Sequence, residues 1–264
     1  MKFVPGLLPR KTTDRRFLAA PLAATHNVVP ALVDLRPQLL PSSNQGQTPK
    51  CAAYSMAGWL EFYNWKYKGI AAQIDPDPIY ARAKVIDGEP TVAGTTLEAV
   101  LQAAQDLQLI SPVDTASIRQ VSASGVQQAL HRYGVVLSAF DITEGWTNAT
   151  PNGWIAEGGV SLGGHAVLLC GYSIVDSPPW YGIQNSWGEQ QGWRGFNRMT
   201  FPLFKQQFNY GLIWDFPERI LVARWFGLGW EADRSTGRPS YLWSQDWQGR
   251  QSHPHWHPKD ISRA

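Results

Sequence analysis

Apolar residues follow two regimes along this chain, helical spacing in the first half and short dense runs in the second. Residues 51–67 (CAAYSMAGWLEFYNWKY) contain no proline, and Met56, Leu60, Tyr63 and Tyr67 recur at helical spacing. Pro49 stands just ahead, where a missing N–H is harmless to a helix, and Gly69 just beyond is placed to cap it. The segment reads as a long, largely apolar and therefore central helix. A second helix is predicted over 96–108, with Leu97, Val100, Leu101 and Ala104 as its stripe, and a third over roughly 124–133. Segments 134–142, 165–172, 181–187, 195–200 and 210–216 are instead short, β-branched or aromatic, and divided by Gly or Pro turns. Helices first and strands later indicate an α+β architecture, without internal repeats.

The flanks differ from this middle. Residues 1–30 are rich in Pro, Ala and basic residues without periodicity and read as an extended arm. The predicted domain covers 31–222. Residues 223–264 form a Trp-rich extension holding Trp225, Trp230, Trp243, Trp247 and Trp256. Trp is enriched at interfaces, so the extension either folds over its own domain or offers a surface to an assembly partner. His253, His255 and His257 alternate as on a strand, but Pro254 and Pro258 favour a loose tail over a metal site.

Composition narrows the function classes. At 264 residues, 44% hydrophobic and 17% charged, the chain is a packed globular protein. A net charge of +2 without a Lys/Arg run argues against nucleic acid as a partner. No stretch approaches the ~18 apolar residues of a membrane span. Arg15-Arg16 and the run FLAAPLAA give only a weak targeting signal, short and interrupted by Pro21. The two cysteines, Cys51 and Cys170, cannot build a disulfide framework, which fits a reducing compartment. The expectation is a cytoplasmic protein, or one delivered or particle-associated in a bacterial or viral setting.

Cys51 opens the long helix. A helix N-terminus favours a thiolate over a thiol, and Lys50 beside it is expected to act in the same direction. A nucleophilic cysteine also needs a base, a group orienting that base, and oxyanion donors. Among the histidines, His165 follows Gly163-Gly164 and begins the apolar strand HAVLLCGY, which would fix its ring. Cys170 lies five residues on and, by alternation, on the opposite face of that strand, so no bridge to Cys51 is expected.

Taken together, these segments resemble the papain family of cysteine peptidases. NQGQTPKCAAYS, with Gln45 six residues before Cys51, is similar to the family's nucleophile segment, and GGHAVLLCGY to its histidine segment. The most specific match is YGIQNSWGEQQGWRGFNRM, which resembles the family's asparagine segment through Asn185-Ser186-Trp187-Gly188 and the trailing Trp193-Arg194-Gly195-Phe196. Val33-Asp34-Leu35-Arg36 looks like the start of the mature domain, and Tyr210–Ile213 with Phe216-Pro217 like its closing strand. Departures exist: Thr48 stands where the family carries a structural cysteine, and Ala52 where it carries an aromatic residue.

The resemblance implies a papain-like fold, with a helical half headed by the nucleophile helix and an antiparallel, β-barrel-like half. It implies a cysteine endopeptidase without cofactor or metal, acting on peptide or protein substrates. Cys51 is then the nucleophile, His165 the base, Asn185 its orienting group and Gln45 an oxyanion donor. Trp187 would shield the His–Asn bond and border the substrate site. Gly94 would pair with substrate backbone, Ser138 or Ala139 would line the pocket for the second residue before the scissile bond, and Gly164 precedes the base. Only about 30 residues precede the domain, fewer than the family's long inhibitory propeptides. Two other readings remain open: a papain-fold structural or binding component of a larger assembly, and a cell-wall peptide hydrolase using the same triad.

Overall fold

In a computed structural model the described residues are 4–10, 28–111 and 118–215, with the backbone of two short paired strands, Ser244–Gln245 and Gln251–Ser252. Most of the Trp-rich extension, its three alternating histidines, the Arg15-Arg16 segment and Phe216-Pro217 lie outside them.

The first half is helical, as its spacing predicts. Helix α1 (Cys51–Lys68) ends at Gly69, whose φ of 66° accepts the left-handed cap. It buries Met56, Trp59, Leu60, Phe62 and Tyr63 along most of its circumference. Helix α2 (Pro76–Asp87) is an element the apolar pattern did not reveal. Its start signals are nonetheless local: Asp75 accepts from the Asp77 N–H, Pro76 opens the first turn, and Gly88 closes it at φ 70°. Helix α3 (Leu97–Asp106) is capped by Thr96, whose hydroxyl accepts from the Ala99 N–H at 3.0 Å. The third predicted helix is shorter, α4 (Val126–Arg132), preceded by a single 3₁₀ turn.

The second half is a seven-stranded antiparallel sheet. Its strands are β1 (Leu32–Asp34), β2 (Ile118–Val121), β3 (Val136–Thr143), β4 (Ser161–Ser173), β5 (Trp180–Gln184), β6 (Phe196–Thr200) and β7 (Phe208–Trp214). The order is β2-β7-β3-β4-β5-β6, with β1 added to the far end of β4. In this antiparallel half, expected to be barrel-like, the sheet is not closed: β2 and β6 end the path without pairing. A last helix, α5 (Phe201–Gln207), links β6 to β7.

Both faces of this sheet are buried, because successive residues of β3 and β4 point to opposite sides. Leu137, Ala139, Ala166, Leu168 and Cys170 face α1 and the other helices. Val136, Phe140, Ile142, Val167 and Leu169 face a second core closed by α4, α5 and Trp146. Trp214 of β7 stacks on Trp59 of α1 at 5.5 Å and meets Tyr63 at 5.1 Å, tying the helical half to the sheet. The N-terminus of α1 thereby lies against β4, where the cysteine and histidine segments meet.

Candidate active site

Three loops converge on the start of α1. The Gln45 N–H donates to Ser186 O at 2.8 Å and the Gly188 N–H to Ser43 O at 3.0 Å, joining the segment before Cys51 to the asparagine segment. The Asn185 N–H donates to Gly195 O at 3.0 Å, and the Ser42 hydroxyl caps the Asn185 carbonyl. Asn185 sits one residue beyond β5, next to β4 and its residue His165.

His165 Nε2 donates to Asn185 Oδ1 at 2.9 Å. That oxygen also accepts the Ser186 N–H at 2.8 Å, and Asn185 Nδ2 donates to Asn197 Oδ1 at 3.3 Å. The amide is therefore locked with its oxygen toward the ring, which fixes the tautomer and leaves Nδ1 as the nitrogen available to a nucleophile. Trp187 stacks on the imidazole at 4.9 Å and Trp146 meets it edge-on at 5.9 Å. Trp146 is held by its own indole N–H, which donates to Gln207 Oε1 at 2.7 Å. Trp187, the expected shield, thus lies against the ring; Trp146 gave no sequence signal, standing 19 residues from the histidine.

Gln45 is buried at 4% exposure. Its Oε1 accepts from the Ser186 hydroxyl at 2.6 Å, and Nε2 donates one hydrogen to Thr48 O at 2.7 Å. Ser186 thus orients both amides, Asn185 through its backbone and Gln45 through its side chain. It was visible in the sequence only as the middle residue of the Asn-Ser-Trp motif.

Cys51 and His165 are both fully buried. Burial pushes the thiol up to about 12, against the N–H groups of Ala166, Ala52, Gly6 and Cys51 itself, which favour the thiolate. Burial likewise pulls His165 down to about 4, against the Asn185 hydrogen bond. The pair rests as thiol and neutral imidazole. Lys50, expected to favour the thiolate, is turned away: its ammonium pairs with Asp77 at 2.9 Å and lies over Tyr80. Cys170 is buried and free, as is Cys51, so the two are not bridged.

The burial has a definite source. Residues 4–10 of the arm run through the groove between α3 and β4 as an extended strap. The Leu7 N–H donates to Gly164 O at 3.2 Å, the Leu8 N–H to Thr95 O at 2.9 Å, and the Thr95 N–H to Gly6 O at 3.0 Å. Leu7 is buried among the residues of the helix-side core. Gly6 donates its N–H to Cys51 Sγ. A Cβ at Gly6 would stand 2.8 Å from that sulfur and 2.7 Å from the Pro49 carbonyl, so only glycine fits there.

Of the other candidate residues, Gly164 and Gly94 border the same groove. Gly164 supplies a carbonyl to the strap and has no room for a side chain, since a Cβ would come within 2.3 Å of Leu7 O. Gly94 also abuts the strap, with a Cβ position 2.6 Å from Gly6 O, but the backbone pairing falls one residue later, on Thr95. The physical reason is that Gly94 is already engaged: its carbonyl accepts from Lys84 Nζ at 2.8 Å and its N–H approaches the Tyr80 hydroxyl at 3.2 Å. Lys84 in turn pairs with buried Asp87, which accepts from the Thr95 hydroxyl at 2.7 Å. Burial works against charge on Asp87, but Lys84, the Glu89 N–H and Thr95 outweigh it and hold the carboxyl below its ordinary value. Ser138 and Ala139 lie in β3 opposite Gly211 and Tyr210 of β7; Ser138 is fully buried and its hydroxyl donates to Val136 O.

No group of three or more His, Cys, Asp or Glu side chains among the described residues is placed to hold a metal, and no described helix is long and apolar enough to cross a membrane.

Known proteins resemble this chain in part of its sequence and in its fold. Residues 92–205 match the family model described as papain family cysteine protease. A cathepsin B-like cysteine proteinase of Schistosoma japonicum is 34% identical over 75 residues, 28% of this chain and 22% of the relative. The cathepsin B-like cysteine proteinase 6 of Caenorhabditis elegans is 35% identical over 74 residues, again 28% of this chain and 20% of the relative. The matched stretch thus spans about a fifth of the length of these curated relatives. The fold is similar to that of xylellain, a cysteine protease from Xylella fastidiosa, with a TM-score of 0.63 at 19% identity over 79% of this chain and 94% of that one. The similarity to papain family cysteine proteases thus rests on residues 92–205 in sequence and, over most of the chain, on the fold.

Proposed function

We propose that the protein is a cysteine endopeptidase in which Cys51 is the nucleophile, His165 the general base and Asn185 the group that orients it. The observation that carries the reading is the His165 Nε2–Asn185 Oδ1 bond at 2.9 Å, clamped by Ser186 and roofed by Trp187, beside a cysteine at a helix N-terminus. In this reading Nδ1 of His165 takes the Cys51 proton and the thiolate attacks the scissile carbonyl. Gln45, through its second amide hydrogen, and the Cys51 N–H stabilise the oxyanion. The imidazolium then protonates the leaving amine, and water, deprotonated by His165, releases the acid.

The strap does not present itself as a substrate. Gly6 offers the sulfur its N–H, and its carbonyl is bound by the Thr95 N–H. Peptide hydrolysis requires the strap to leave the groove, and its departure uncovers Cys51. The test is hydrolysis of a quenched peptide library by the intact chain and by Cys51→Ala. Turnover that disappears in the variant supports the assignment, and turnover that survives in it removes Cys51 from the chemistry.

A further inference from the structure

The strap continues past Cys51 to Arg10, and what Arg10 meets is a built cation site. Its Nε pairs with Glu98 Oε1 at 3.1 Å and its terminal nitrogen donates to Gln120 Oε1 at 2.8 Å. The guanidinium also lies over the Tyr210 ring, 5.7 Å from its centroid. The Tyr210 hydroxyl donates to the Glu98 carboxylate, 3.1 Å from either oxygen. Glu98 is only 4% exposed, in the first turn of α3, three residues beyond Thr95, whose backbone pairs with the strap.

A carboxylate this deep needs a counter-charge. Within the domain the carboxylate accepts from the Tyr210 hydroxyl, and the cation paired with it is Arg10 of the strap. The carboxylate, the Gln120 oxygen and the ring face are arranged around a planar cation, a set that favours guanidinium over ammonium. Tyr210 is the register partner of Ala139, so this site adjoins the wall of the groove read as the pocket before the scissile bond.

We propose that Glu98, Gln120 and Tyr210 form a subsite selecting an arginine side chain of the substrate, on the side of the scissile bond lined by Thr95, Ala139 and Gly164. In the closed state Arg10 fills it. When the strap leaves, the guanidinium leaves too, and the buried carboxylate recruits a basic residue from the incoming peptide. Substrate and strap thus compete for the same charge. This rests on the reading of the groove as a peptidase cleft, but its test does not need turnover.

The probe is a peptide of the strap itself, residues 4–10 (VPGLLPR), against the same peptide with citrulline, the neutral isostere, in place of arginine. Both are offered to the Gly6→Val/Arg10→Ala chain, in which the strap is displaced and the Glu98 site vacated, and protection of Cys51 from a small alkylating epoxide is measured. The arginine peptide should protect at concentrations at least tenfold lower than the citrulline peptide, and the difference should vanish in the added Glu98→Gln background. Equal protection by the two peptides overturns the proposal without any variant of Glu98, as does a preference that persists in Glu98→Gln. Reporter peptides with arginine or citrulline before the scissile bond then separate the two claims. Discrimination in protection without hydrolysis leaves the subsite standing and removes the peptidase reading.

Discussion

Gly6 lies directly on Cys51: its N–H points at Sγ, and a single added methyl would stand 2.8 Å from the sulfur. Cys51 is therefore covered by the chain's own N-terminal strap, through a residue that no other amino acid can replace in place. A Gly6→Val substitution should expel the strap without touching the triad. Alkylation of Cys51 at pH 7 should accelerate at least tenfold, because rehydration lowers the thiol from its buried value. An unchanged rate would mean that the strap does not govern access.

Burial of His165 makes a second expectation. Its value of about 4 in the folded chain lies below the ordinary 6.5. Between these values the unfolded chain binds a proton that the folded chain does not, so stability is lost as pH falls from about 6.5 toward 4. The loss is on the order of 3 kcal/mol for a shift of this size. Chemical denaturation of the protein and of His165→Gln should show the stability difference between them shrinking between pH 7 and pH 4.5. A difference that stays constant contradicts the assignment of a neutral buried ring.

Ser186 is expected to be a positioning residue. It holds Gln45 Oε1 at 2.6 Å and, through its N–H, Asn185 Oδ1 at 2.8 Å. Ser186→Ala removes the first contact alone, worth about 0.5–1.5 kcal/mol, so kcat should fall roughly three- to tenfold with KM little changed. Gln45→Ala should fall further, by about 10²–10³ in kcat, as an oxyanion donor does. If either substitution moved only KM, the oxyanion assignment would fail.

The Lys84–Asp87 pair should stiffen the edge against which substrate backbone pairs. Asp87→Asn leaves Lys84 buried without its counter-charge, a change of about 3 kcal/mol in stability. The same variant should raise KM for peptides, because Gly94 and Thr95 lose their common anchor. Thermal melting and steady-state kinetics on one preparation check both, and normal values in both would show the pair to be dispensable.

The parts of this molecule that were legible in the sequence are those fixed by local signals. Helix α1 announces itself because an unbroken apolar run ends at Gly69, and the asparagine segment because Asn185, Ser186 and Trp187 are contiguous. What stayed hidden depends on partners distant in sequence. Lys50 is the sequence neighbour of Cys51, yet its ammonium pairs with Asp77, 27 residues on. Trp146 reaches His165 only through the fold, and the strap meets Thr95 and Gly164 across most of the chain. Whether the sheet closes is equally non-local: it depends on whether β2 and β6 meet, and no local pattern reports that.

The most direct test of the account is site-resolved alkylation of the Gly6→Val chain by a peptidyl epoxide, read by mass mapping with and without His165→Ala. The expected result is a single adduct on Cys51, none on buried Cys170, and loss of the Cys51 adduct when His165 is removed. Labelling of Cys51 that is indifferent to His165, or an absence of labelling with the strap displaced, would contradict the claim that these two residues form the catalytic pair.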